Sequence, residues 1–203
     1  LAVESVEGFV LNTLKWFLHL AGQEENALLA ELREGLGRAD RTLIQRARDD
    51  ARLAGMGTTL TMAYSVATDL FIVHAGDSRA YLLRDRTLEQ LTSDHTLVQL
   101  LVEGGALSPE DAKHHRRRNV VTNVVGGPSA GVHAEIHKVN LADGDLLLLC
   151  SDGLSEPVDD SAMTHILTTY PDPEHACERL VKAALDKGGP DNITAVVARY
   201  SVK

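Results

Sequence analysis

Three short acidic turns, each adjoining an apolar β-type run, constrain this chain more than any other feature. They are Ala75-Gly76-Asp77-Ser78-Arg79, Ser151-Asp152-Gly153 and Gly188-Gly189-Pro190-Asp191-Asn192. The runs are Leu70-Phe71-Ile72-Val73 before the first, Leu146 to Cys150 before the second, and Ile193 to Val197 after the third. If these strands pack together, their ends bring Asp77, Asp152 and Asp191 into one site. Two carboxylates about 4 Å apart repel by roughly 4 kcal/mol at an effective dielectric of 20. A cluster of three therefore needs protonation or a cation, and the pattern points to a metal.

The rest of the chain surrounds these turns with helices. Val3, Val6, Val10, Leu14 and Phe17 recur at helical spacing from the first residues onward, with no capping residue ahead of them. A second helical stretch is expected from about Glu24 to Leu53, with Leu28, Leu32, Leu36, Leu43 and Ile44 inward and a weak point at Gly35 and Gly37. After Gly55-Met56-Gly57 the period becomes β-type. Strands are expected at 58–67, 70–75, 78–84 and 88–91, then at 132–139, 145–150 and 193–201. Short helices are expected after Asp94-His95-Thr96 and after Ser108-Pro109, the latter with proline at the first helical position. Longer ones are expected at about 160–169 and 173–186. Strands and helices are grouped, not alternating as in βαβ units, so the fold class is α+β.

Gly57-Thr58-Thr59, Gly76-Asp77-Ser78-Arg79, Ser151-Asp152-Gly153 and Gly189-Pro190-Asp191-Asn192-Ile193-Thr194 occur in that order. With Thr92-Ser93-Asp94-His95 and Arg118-Asn119-Val120-Val121-Thr122, this series resembles the bacterial branch of the metal-dependent (type 2C) serine/threonine protein phosphatases. The resemblance runs from about Gly55 to the C-terminus. It implies two antiparallel β-sheets packed face to face with helices outside, an α-β-β-α sandwich. It also implies hydrolysis of phosphoserine and phosphothreonine at a centre of two Mg²⁺ or Mn²⁺ ions, with a third, weaker position. Asp152 and Asp191 would hold the catalytic metals, directly or through water. Asp77 would share the third position with Asp152, and Glu156 would stand near it. Asn192 would orient Asp191 or a metal-bound water, and Arg79 would brace the first turn. Oxygen-only ligands with no converging Cys or His pattern suit such hard cations independently of the resemblance.

In one respect the chain departs from the family pattern. The family supplies an Arg, an acidic strand residue and a metal-bridging Asp-Gly turn ahead of the first helix, and this sequence opens inside that helix. The expectation is a single catalytic domain over 1–203 that is N-terminally incomplete, its first strands missing, and a natural protein that carries them. The alternative is a catalytically impaired phosphatase-like binding or regulatory module. A simple cation-binding structural domain is a third reading.

Several residues carry plainer readings. Ser78 and Arg79 read as structural, Thr58 and Thr59 as strand residues near the site, and His95 as a cap or surface residue. His114 to Arg118 reads equally as a loop that steers acidic phosphopeptides or as a solvated loop. The Phe9, Trp16 and Phe17 cluster reads as core. A formal net charge of −9 argues against nucleic acid and anionic membranes as partners. Phosphorylated proteins and a cognate Ser/Thr kinase are the partners that the resemblance implies. Cys150 and Cys177 make no disulfide framework, and the apolar stretch at Phe9 to Leu20 is too short to span a bilayer, so a cytosolic protein is expected.

Overall fold

The computed structural model describes residues 25–127 and 131–202. The first helical pattern and the Phe9, Trp16 and Phe17 cluster lie outside the described residues. In chain order the elements are α1 (Glu25–Asp49), β1 (Gly57–Thr58), β2 (Leu60–Val66), β3 (Asp69–Ala75), β4 (Arg79–Arg84), β5 (Thr87–Gln90), α2 (Leu97–Glu103), α3 (Pro109–Lys113), β6 (Val125–Gly126), β7 (Glu135–Asn140), β8 (Leu146–Cys150), α4 (Asp152–Ser155), α5 (Asp160–Thr169), α6 (Pro173–Asp186) and β9 (Ala195–Arg199). These divide into two compact units. The first holds residues 25–60, 73–76, 95–127 and 131–136; the second holds 61–72, 77–94 and 137–202.

In the first unit, α1 runs unbroken through Gly35 and Gly37. A glycine costs a helix about 1 kcal/mol. Burial of Leu28, Leu32, Leu36, Ala39 and Leu43 along one face outweighs that cost. The same face buries a carboxylate: Asp40 accepts the Gly126 N–H at 2.7 Å and the Val132 N–H at 3.3 Å. The expected strand at 58–67 is split. β1 pairs antiparallel with β6, and the chain joins a different sheet from Leu60 onward. Two side chains start the short helices: the Thr96 hydroxyl accepts the Gln99 N–H, and the Ser108 hydroxyl accepts the Asp111 N–H.

The second unit contains the packed sheets. One sheet has the order β2-β3-β7 and the other β5-β4-β8-β9. Leu70, Ile72, Ala80, Leu82 and Leu141 are buried together, with Ala63, Val139, Leu147 and Leu149 against them. That cluster takes alternate residues from both sheets, so the sheets pack face to face. The opposite side chains of β4 and β8 (Tyr81, Leu83, Leu146, Leu148, Cys150) meet Met163 and Leu167 of α5 and Ala176, Leu180 and Ala184 of α6. The expected architecture, antiparallel sheets packed together and flanked by helices, is the one found. Asp85 and Arg86 both take left-handed backbone (φ 49° and 65°), which closes the β4–β5 hairpin with a two-residue turn.

Candidate metal centre

The acidic turns sit where strands of the second unit end. β8 and β9 pair with Cys150 opposite Ala195. Beyond that register the pairing continues through Ser151, whose N–H donates to Thr194 O at 3.1 Å. The Thr194 N–H in turn donates to the Ser151 hydroxyl at 3.0 Å, and that hydroxyl donates to Asn192 O at 3.1 Å. Gly153 completes the junction. A Cβ there would lie 2.3 Å from Asn192 O, so no other residue lets the two loops approach this closely. Asp152 and Asp191 are thus brought together by backbone. The Ser151-Asp152-Gly153 turn, read from sequence as a plain turn, is also the start of the helical turn α4, with Ser151 as its N-cap residue.

Within each turn the carboxylate is fixed locally. The Gly153 N–H donates to Asp152 Oδ1 at 2.8 Å, and the Asn192 N–H donates to Asp191 Oδ1 at 2.7 Å. Asn192 therefore orients Asp191 through its backbone amide. Asp77 follows β3, and Arg79 begins β4. The Arg79 guanidinium reaches Asp94, with Nε to Oδ1 at 2.8 Å and Nη2 to Oδ2 at 2.7 Å.

Electrostatics tie the acidic groups together. Burial raises the Asp77 pKa above the usual carboxylate value; the charge of Asp152 adds to the rise, and Asp94 adds less. Arg79 pulls the other way, less strongly than either carboxylate pushes. Burial also raises Asp152; the Gly153 N–H opposes this, while Asp191 and Glu156 reinforce it. The chain gathers carboxylates here, and burial and their mutual charge raise two of them, the condition a divalent cation relieves. The donors are all carboxylate oxygens, the chemistry of Mg²⁺ and Mn²⁺. The residues therefore fit such ions. Among the described residues, however, no three of these carboxylates place their oxygens within 4.8 Å of one another.

The group that does so is elsewhere, in the first unit: His74, His95 and Glu135. Its hydrogen bonds argue against a metal. His95 Nδ1 receives the Gly76 N–H at 3.1 Å and the Asn123 side-chain amide at 2.9 Å. The Asn123 amide cannot turn round, since it also donates to His133 O and accepts the His133 N–H. Nδ1 is thus an acceptor, so Nε2 carries the proton and donates to Glu135 Oε2 at 2.8 Å. This is a tautomer-locked relay that clasps Gly76, whose carbonyl also accepts the His95 N–H at 2.7 Å. The expectation of a cap or surface role for His95 is corrected: Thr96 caps α2, and His95 is largely buried. Nothing in the sequence near His95 signals partners 28 and 40 positions away.

Comparison with known proteins bears on the family. Residues 9–100 match the family model described as Protein phosphatase 2C. The chain is 40% identical over 181 residues to the serine/threonine protein phosphatase PstP of Mycobacterium tuberculosis, covering 89% of this chain and 35% of that protein. It thus spans about a third of the length of that curated relative. It is 36% identical over 188 residues to the serine/threonine phosphatase stp of Listeria welshimeri, covering 90% of this chain and 74% of that one. Among solved structures, the Mycobacterium tuberculosis PstP/Ppp phosphatase superposes with a TM-score of 0.84 at 38% identity, covering 99% of this chain and 83% of that chain. The PstP catalytic domain in complex with two manganese ions superposes at 0.79 and 35% identity, covering 99% and 81%. With the ordered acidic turns, the paired sheets and the identity to stp over most of its length all in agreement, the chain belongs to the protein phosphatase 2C family.

Proposed function

We propose that this protein is a metal-dependent serine/threonine protein phosphatase, with residues 1–203 forming part of one catalytic domain. The observation that carries the reading is the acidic group at the ends of β3 and β8 and the start of β9, where burial and the charge of Asp152 raise Asp77, and burial with Asp191 and Glu156 raises Asp152. Asp152 and Asp191 would hold two Mg²⁺ or Mn²⁺ ions, and Asp77 and Asp152 would share a third, weaker position with Glu156 beside it. Ions in such a centre bind phosphate oxygens and acidify the attacking water. The chain's own part is placement. The Ser151–Thr194 hydrogen bonds set the spacing of two carboxylates, and the Gly153 and Asn192 N–H groups fix their orientation. The Arg79 guanidinium is held by Asp94.

Phosphorylated proteins are the substrates that suit this chemistry, and a cognate Ser/Thr kinase would supply them. The net charge of −9 supports a protein with no nucleic-acid or membrane partner. Among the described residues no helix is long and apolar enough to cross a membrane, and Cys150 and Cys177 are free thiols, in keeping with the cytosol. The test is hydrolysis of p-nitrophenyl phosphate and a phosphothreonine peptide by the full-length protein. Mn²⁺ should stimulate both, and Asp191→Ala should remove nearly all turnover. Activity in excess EDTA, or an Asp191→Ala variant that turns over normally, overturns the reading.

A further inference from the structure

Arg79 stands two residues from Asp77 in a region rich in carboxylates, yet its hydrogen bonds go elsewhere. Nε and Nη2 form a parallel fork on the two oxygens of Asp94, at 2.8 and 2.7 Å. Nη1 donates to the Tyr81 hydroxyl at 3.0 Å. Tyr81 is fully buried, and burial keeps its hydroxyl neutral. Asp94 is held in turn. The Gln90 side-chain amide donates to Asp94 Oδ1 at 3.2 Å and to Thr92 O at 2.7 Å. The Thr92 hydroxyl accepts the Ala80 N–H at 3.1 Å, which straps segment 90–94 along β4. The pair is largely screened from solvent, with side chains 26% and 17% exposed, so the guanidinium needs an anion.

We propose that Asp94 is a positioning residue that holds the Arg79 guanidinium off Asp77 and so keeps the Asp77 carboxylate open to a cation. The inference rests on the metal reading above and deepens it. An arginine so close to a ligand carboxylate has two destinations. Turned toward Asp77 it would neutralise that carboxylate and occupy its oxygens; engaged on Asp94 it leaves them open. Without the Asp94 charge, Asp77 becomes an alternative anion for Arg79.

The experiment is a calorimetric titration of Mn²⁺ into the full-length protein, its Asp77→Ala, Asp94→Asn and Arg79→Met variants, and the double variant Arg79→Met/Asp94→Asn. Circular dichroism would check folding. Asp77→Ala identifies the binding component that depends on Asp77. Asp94→Asn should weaken that component by about 10-fold or more, the scale of an outer-shell partner. Arg79→Met should not weaken it, and the double variant should return toward wild type. Equal weakening by Asp94→Asn and Arg79→Met, as for a pair that only braces the turn, overturns the proposal, as does unchanged affinity in Asp94→Asn. If Asp94→Asn does not fold, Asp94→Ser takes its place under the same outcomes, and weakening in both Arg79→Met and the double variant overturns the proposal. A wild-type protein with no Asp77-dependent component instead removes the metal reading and this proposal with it.

Discussion

Strand β8 carries an aspartate just beyond each end, and the two are treated in opposite ways. Asp145, before Leu146, is 3% exposed and fully engaged. Arg84 donates to it through Nε at 3.0 Å and Nη2 at 2.6 Å, and the Ala142 N–H donates at 2.8 Å. Burial works to raise its pKa, but these donors win and hold it below the usual carboxylate range. Asp152, after Cys150, is raised instead, by burial first and then by the charges of Asp191 and Glu156, against the pull of the Gly153 N–H. The same residue type beyond the same strand is a structural anchor at one end and, in the function proposed above, a metal ligand at the other. Carboxylates raised in this way gather at functional sites.

The largest test of that contrast is Asp152→Asn. It removes a charge that burial and the neighbouring Asp191 and Glu156 disfavour, so the thermal midpoint measured in EDTA should stay the same or rise. Mn²⁺-dependent phosphatase turnover should fall by more than the roughly 100-fold limit typical of outer-shell substitutions. A clear drop in the metal-free midpoint breaks the comparison, because Asp152 would then be an anchor like Asp145.

Asp145→Asn should behave conversely, with Mn²⁺ affinity unchanged and stability lost. Charged hydrogen bonds contribute about 1.5–3 kcal/mol; with Arg84 39% exposed, solvent screening reduces this to about 1–2 kcal/mol by urea unfolding. The sign of its pH dependence follows from the lowered folded pKa. Asp145 stabilises the fold fully above its unfolded pKa of about 3.9, and the contribution is lost as pH falls through the lower folded value. The wild type should therefore lose more stability than Asp145→Asn on acidification below about pH 4. Parallel acid limbs for the two proteins would show that the Arg84 pair contributes nothing to folding.

How much of this contrast could be read from sequence depends on the range of each interaction. The apolar runs and their turns gave away the strands of both packed sheets, because alternation and turn chemistry are local. The order of the acidic turns pointed to Asp77, Asp152 and Asp191 as a group. The fate of individual polar side chains was hidden. Arg84 finds Asp145 across 61 positions, and His95 finds Glu135 across 40. Asp40 of α1 reads as one charge among several on a helix, yet it is buried and holds the Gly126 backbone 86 positions away. Strand 58–67 looked continuous because nothing in a β-type run marks where a chain changes sheets. Gly35 and Gly37 suggested a break in α1 that the burial of its leucines overrides.

The smallest expected effect belongs to Ser151→Ala, and it asks what holds the Asp152 turn beside the Asp191 turn. The hydroxyl of Ser151 accepts from Thr194 and donates to Asn192 O. Both partners are exposed, so water can replace it, and the loss should be about 1 kcal/mol in urea unfolding. Its effect on Mn²⁺ should be proportionately larger, a drop of about 10-fold in affinity, because the hydroxyl sets the distance between the Asp152 and Asp191 turns more than it stabilises either. If affinity holds while stability falls, the β8–β9 ladder ending at Cys150 and Ala195 is enough to place the carboxylates. If affinity falls far beyond about 10-fold, the spacing of the two turns, and not the charge of either aspartate alone, governs the metal binding proposed for this end of β8.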